Sequence, residues 1–158
     1  MSEFRQELRE PALEQQAPRT GASGPRAGFG RRLVAALVDG IIYSVVYFIL
    51  FAVLSEGAAY GLTQLFAVIY LTYFEGSAAG QTVGKKLLNI RVIDFATGGP
   101  IGHGRAFLRW LGRILSGIPL LLGYLWMLWD KEKQTWHDKI ANCVVVPTDA
   151  YPVERWPG

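Results

Sequence analysis

Between residues 33 and 54 the chain carries apolar and small side chains with a single charge, Asp39. About twenty helical residues rising about 1.5 Å each match a hydrocarbon layer about 30 Å thick, so this run predicts a membrane-spanning helix. Arg31 and Arg32 stand at its mouth. Arg32, Ala35 and Asp39 fall on one helical face, with a small residue between the two charges. An aspartate inside a spanning helix has to face protein or water. That placement fits a bond to a neighbouring helix, and it fits equally a site where a proton or cation moves. A second apolar run, residues 59–74, contains Thr63, Gln64 and Thr72 and ends at Glu75. The short link at 55–58 makes the two runs antiparallel neighbours and returns Glu75 to the side of Arg31 and Arg32. Gln64 is placed to hydrogen-bond across helices. A third run, residues 114–129, is interrupted by Pro119. It reads either as one crossing or as a hairpin, with an amphipathic helix, a bend at Ile118-Pro119 and a half-buried return.

The intervening segments change period. Residues 88–94 alternate in part and run into Thr97-Gly98-Gly99-Pro100, a turn signal, and residues 141–147 have the same character. Both predict short strands that pair outside the bilayer. Arg105, Arg109 and Arg113 repeat every four residues and form one edge of a helix whose remainder is apolar. That edge lies in the headgroup layer and attracts anionic lipid, or it turns one arginine inward to Asp39 or Glu75. The fold class expected is an all-α membrane protein with two to three transmembrane helices, an amphipathic or re-entrant helix and a small cytoplasmic strand pair. Arg26, Arg31 and Arg32, with the basic stretch 75–113, place the N-terminus in the cytoplasm of a multi-pass protein of the cell membrane. The expected domains are a polar, disordered tail at 1–28, a membrane domain at 29–147 and a C-terminal tail at 148–158. No signal-peptide pattern opens the chain, so the first span would direct insertion.

Composition narrows the chemistry. The formal charge of +3 over 158 residues is too small to argue for nucleic acid. A lone cysteine, Cys143, excludes an internal disulfide framework and reads as a small buried side chain. Two histidines, His103 and His137, with that cysteine make a metal site improbable, and no cofactor is expected. His137-Asp138 has no nucleophile placed beside it by sequence, so no enzyme is expected. Asp138 reads as a cap or as an arginine partner. Gly84-Lys85 lacks the glycine and hydroxyl that a phosphate-binding loop needs, since Ala79 and Lys86 hold those positions. Gly76, Gly80 and Gly84 instead form a smooth strip for close contact if the segment is helical. Gly80, Thr82 and Gly84 are therefore packing candidates, and Lys85, Lys86, Arg105, Arg109 and Arg113 are packing or headgroup candidates.

Four blocks in order, 32–39, 80–92, 104–109 and 134–138 followed by a valine-rich end, resemble the RDD family of small bacterial membrane proteins. The resemblance covers about residues 28–147. It carries the arginine and two aspartates of the family's name onto Arg32, Asp39 and Asp138. Trp136, where the family pattern suggests a leucine or similar residue, is a mild departure. The resemblance implies a membrane location and little about activity, with transport and cation-proton exchange suggested for some members. Two roles follow. One is an accessory or interaction subunit that associates with the lipid bilayer, with itself or with a larger membrane complex. The other is an oligomeric cation/proton transporter acting through Asp39.

Overall fold

A computed structural model describes residues 25–119 and 121–158. The expected tail falls almost wholly outside these residues. What is described of it, residues 25–28, is docked: the Ala27 amide donates to the Val145 carbonyl at 2.9 Å, and Arg26 pairs with Glu132 at 2.6 Å.

The first apolar run forms α1, Phe29–Phe51, which buries only Ala35 and Asp39. Leu37, Ile41, Val45 and Phe48 are exposed, while Val38, Ile42, Tyr43 and Val46 are half-buried. A turn at 52–55 leads into α2, Glu56–Gly76, whose first-turn Glu56 suits the positive end of the helix. The helices run side by side, with Tyr43 edge-on to Tyr70 at 5.7 Å. Among the described helices, α1 alone is long and apolar enough to cross a membrane. A bent pair makes a second if it counts as one span. α2 is nearly as long as α1, but its end is buried at Tyr70, Leu71, Glu75 and Gly76. Gln64 is exposed, so the cross-helix bond expected of it is not formed.

That bent pair is the third run. α4, Gly102–Gly117, is followed by α5, Leu122–Leu125, and a 3-10 turn, Trp126–Leu128, and the two arms lie at 112°. The break at residues 118–121 matches the bend expected at Ile118-Pro119. Packing explains the return: a Cβ on Gly123 would sit 2.5 Å from the Ser116 Cα, so the second arm folds directly onto the first.

Two five-residue helices, α3 (Val83–Leu87) and α6 (Trp136–Ile140), each lead into a strand, β1 (Ile90–Asp94) and β2 (Cys143–Pro147). The strands pair antiparallel with Val92 opposite Val145. One face of the pair packs with Ala35, Ile101 and Ala106, and the other is covered by Tyr151. The C-terminal residues expected as a tail are thus part of the fold. Trp156 stacks on Phe74 at 5.3 Å and donates from Nε1 to the Gln81 carbonyl.

The two helix-strand units are repeats of one another. Gln81-Thr82 and Gln134-Thr135 precede them, and Asn89 and Asn142 turn each chain into its strand with φ of 52° and 49°. Gln81 donates to the Ile90 carbonyl and Gln134 to the Cys143 carbonyl, both at 2.9 Å. Equivalent residues Val92 and Val145 face each other, so a local two-fold axis passes between them. The helices packed on the units correspond as well. α3 lies on α1 at Ala35, where a Cβ on Gly84 would meet the Ala35 carbonyl oxygen at 2.1 Å. α6 lies on α4 at Gly112, where a Cβ would meet His137 at 3.0 Å.

Candidate functional site

Where the halves meet, charged side chains are buried as one connected row. Glu75, fully buried at the end of α2, accepts from Lys85 Nζ at 2.7 Å, Arg113 at 2.5 Å and Arg109 at 2.5 Å. Arg109, 1% exposed, turns its other edge to Asp138 and donates to Oδ1 from Nε at 2.9 Å and Nη2 at 2.7 Å. Asp138 Oδ2 takes Arg32 at 2.6 Å and the Thr135 amide at 3.1 Å. Removing an ion from water costs several kcal/mol, on the order of 20 in the idealised limit, unless charge partners and hydrogen bonds compensate it. Here both carboxylates are surrounded by donors. The row binds α1, α2, α3, α4 and α6 into one unit.

The titrating groups follow from this environment. Burial alone would raise the Asp138 carboxyl, but Arg32 and Arg109 outweigh it and hold the group well below the usual carboxylate range. Burial lowers the Lys85 ammonium against the opposing pull of Glu75. Burial also keeps His137 well below its ordinary value, so the ring is neutral. It lies between the hydroxyls of Ser116, at 3.2 Å, and Thr135, at 2.9 Å. The Cys143 thiol is pushed up to about 12 by burial, which makes it unreactive.

Asp39 is compensated differently. Its Oδ1 accepts from the Tyr70 hydroxyl and the Gly84 amide, each at 2.9 Å, and its Oδ2 accepts from the Thr82 hydroxyl at 2.7 Å. All three donors are neutral. Thr82, the N-cap of α3, also accepts from the Lys85 amide. Asp39 therefore fastens the start of α3 to α1. Arg32 and Asp138 bond directly, whereas among the described residues Asp39 bonds neither.

A cavity of about 310 Å³ opens between α1 and α4, and Arg32, Lys85, Arg109 and Arg113 line it together with Asp39. Its other walls include Leu33, Leu71, Tyr124 and Met127. Among the described residues, no group of three or more His, Cys, Asp or Glu side chains is placed to hold a metal ion.

Several sequence expectations change here. Arg109 and Arg113 point inward to Glu75, so the three arginines do not form one headgroup edge, and Arg105 instead pairs with Asp94. Glu75 gains the inward partner that the alternative reading allowed. Lys85 is buried rather than at headgroups, while exposed Lys86 lies 3.9 Å above the Trp156 ring. Gly80 lies outside any helix at φ +63°, and a Cβ there would meet the Val92 carbonyl oxygen at 2.2 Å. Gly76 and Gly84 are likewise filled by His103 and Ala35. The glycine strip thus serves internal contacts. Asp138 pairs with arginine, and instead of capping a following segment it reaches back to the Thr135 amide in the capping box of its own helix, α6. Sequence pattern alone does not single out Tyr70, Ser116, Thr135, Gln81 or Gln134 for a role. The doubled Gln-Thr before a short helix and an Asn-turned strand was their available signal.

A family profile described as RDD family matches residues 26–142. The proline-rich antigen of Mycobacterium leprae (strain TN) is 36% identical over 92 residues, covering 56% of this chain and 37% of its own length. The proline-rich antigen homolog of Mycobacterium tuberculosis (strain ATCC 25618 / H37Rv) is 40% identical over 68 residues, covering 43% and 28%. Protein YxaI of Bacillus subtilis (strain 168) is 31% identical over 147 residues, covering 76% of this chain and 96% of its own length. The chain spans about a third of the length of the mycobacterial relatives. No solved structure matches.

Proposed function

The chain belongs to the RDD family, and on that premise we propose that it is a non-catalytic, multi-pass accessory module of the cytoplasmic membrane that docks on other membrane chains or on its own copies. Family membership supports the membrane location. The basic residues Arg26, Arg31 and Arg32 support a cytoplasmic N-terminus. The observation that carries the docking role is the fixed state of Asp39. Its carboxylate is held by three donors from α2, α3 and the α3 cap, so it fastens one element to another. A rigid interior then leaves the exposed face of α1, with Leu37, Ile41, Val45 and Phe48, as the surface available to lipid or a partner.

The competing reading is cation-proton exchange, and the specific observation in its favour is that Asp39 lines the cavity. Four cationic side chains line the same space and repel a cation there. Proteoliposomes containing the full chain alone separate the two. The accessory role expects no cation flux under a pH gradient, and flux that Asp39→Asn abolishes in folded protein overturns it. Cysteines placed at Val45 and Phe48 test docking in native membranes. Crosslinks to a second copy or to one discrete membrane protein are expected, and labelling by lipid alone counts against the module.

A further inference from the structure

We propose that the cavity between α1 and α4 is a binding site for one anionic phospholipid, with the phosphate at its cationic floor and the acyl chains leaving along α1. The inference rests on the membrane location given above. Arg32, Lys85, Arg109 and Arg113 line the space against one carboxylate, Asp39, while Glu75 and Asp138 are not among its lining residues. The ion-pair row thus turns its cationic side to the cavity. Among the described residues the Arg113 side chain makes one hydrogen bond, to Glu75, and the Lys85 ammonium also makes one, leaving further N–H donors on both. Tyr43 lines the same space, and its hydroxyl is buried with no hydrogen-bond partner among the described residues. A buried hydroxyl without a partner is costly, and an incoming oxyanion would satisfy it. The volume of about 310 Å³ is at the lower end of ligand pockets and suits a headgroup better than a whole lipid.

The rim argues for an amphiphile over a free anion. Leu33 lines the cavity and is 46% exposed, so the opening lies on the apolar surface of α1. Met127 and Tyr124 form the opposite side from the returning arm of the bent pair. A chain attached to the phosphate would meet hydrocarbon-like surface as soon as it left the floor.

The test titrates the full chain, purified in a nonionic detergent, with dihexanoylphosphatidylglycerol, dihexanoylphosphatidylcholine and inorganic phosphate. Calorimetry should give one phosphatidylglycerol per chain, bound at least about tenfold more tightly than either competitor, as charge-assisted bonds plus apolar burial require. Arg113→Gln should weaken that binding about tenfold through the loss of one charged donor. Tyr43→Phe should weaken it about threefold while leaving the ligand-free melting temperature unchanged or raised, because it deletes a hydroxyl that has no hydrogen-bond partner among the described residues. The Tyr43 variant keeps the proposal testable if the arginine variant fails to fold. Equal binding of phosphatidylcholine, phosphate as tight as phosphatidylglycerol, or wild-type binding by folded Tyr43→Phe overturns the site. Protein that is monodisperse without detergent overturns the membrane premise itself, a result distinct from failed lipid discrimination.

Discussion

The two halves share a frame and differ in its charges. In each, a Gln-Thr pair starts a five-residue helix, an asparagine turns the chain, and a strand follows. In each, that short helix lies on a longer helix at a small residue, Ala35 in one and Gly112 in the other. One turn further on, the longer helix bonds to the short one. Asp39 takes the Gly84 amide, and Ser116 bonds to His137. Arg32 and Arg109 occupy matching places one turn earlier. The divergence lies inside the short helices, where Lys85 corresponds to Asp138 and Gly84 to His137. Backbone-directed contacts are common to both halves, and ion pairs specify how the halves join. Lys85 goes to Glu75, and Asp138 draws both arginines. The frame could form twice from similar sequence, whereas the junction needs opposite charges in equivalent positions.

Arg109→Ala should break the junction most severely. It removes the one cation that, among the described residues, bonds both Glu75 and Asp138, and it leaves two fully buried carboxylates short of donors. Breaking a buried pair from one side costs about 3–5 kcal/mol, so folded protein recovered in detergent should fall sharply. A variant that melts within about 1 kcal/mol of the parent would show that the row does not hold the halves together.

Acid should act on the second half first. His137 and Asp138 both have folded values below their ordinary ones, 6.5 and 3.8. Below each ordinary value the unfolded chain takes up a proton that the folded chain refuses, so stability falls as pH falls. The loss therefore begins near pH 6.5 through His137 and deepens below about pH 4 through Asp138. The first half carries Gly84, which has no titrating side chain, in place of His137, and Lys85 in place of the acid Asp138. Amide exchange as pH falls through His137's ordinary value should show α6 and β2 losing protection before α3. Simultaneous loss in both halves would contradict the asymmetry.

Much of this plan was legible in sequence. The first long apolar helix, the strand pair and the bend near Pro119 follow from apolar run length and turn residues, and the block resemblance singles out Arg32 and Asp138, which pair, and Asp39, which is held elsewhere. The glycine strip keeps its close contacts at Gly76 and Gly84 but not its helical condition, because periodic glycines fit a helix and a tight loop equally well and only the backbone at Gly80 distinguishes them. Arginine spacing was likewise ambiguous. Three residues at intervals of four share a face, but sequence does not say whether that face meets lipid headgroups or the single acid ending α2. The pairing of Arg109 with Glu75 depends on α2 and α4 touching where Gly76 meets His103, a contact invisible to local pattern.

The next prediction compares equivalent positions on the longer helices. Asp39→Ala leaves Tyr70, Thr82 and Gly84 donors unpaired in a buried place and should cost about 3 kcal/mol. Ser116→Ala removes a hydroxyl shared with His137 and should cost about 1 kcal/mol, since Thr135 still contacts the ring. Chemical denaturation of both variants in one detergent measures the ratio. Equal losses would mean that the carboxylate adds nothing beyond the corresponding hydroxyl.

The smallest expected effect is also the cleanest test of the shared frame. Gln81→Ala and Gln134→Ala each remove one amide donor from the first carbonyl of a strand, at identical length and with both side chains buried. Each should cost about 1–2 kcal/mol, and the two values should agree closely because, among the described residues, each side chain hydrogen-bonds to its strand carbonyl and not to the ion-pair row. Their effects meet only through β1 and β2, which pair across the local two-fold axis. If strand pairing transmits the disturbance, the double variant will lose more than the sum of the singles. If each glutamine fastens only its own unit, the losses will add within about 0.5 kcal/mol. Additive and equal losses would establish two independent copies of one frame, while a marked inequality between the singles would show that the junction charges reshape even the contacts the halves have in common.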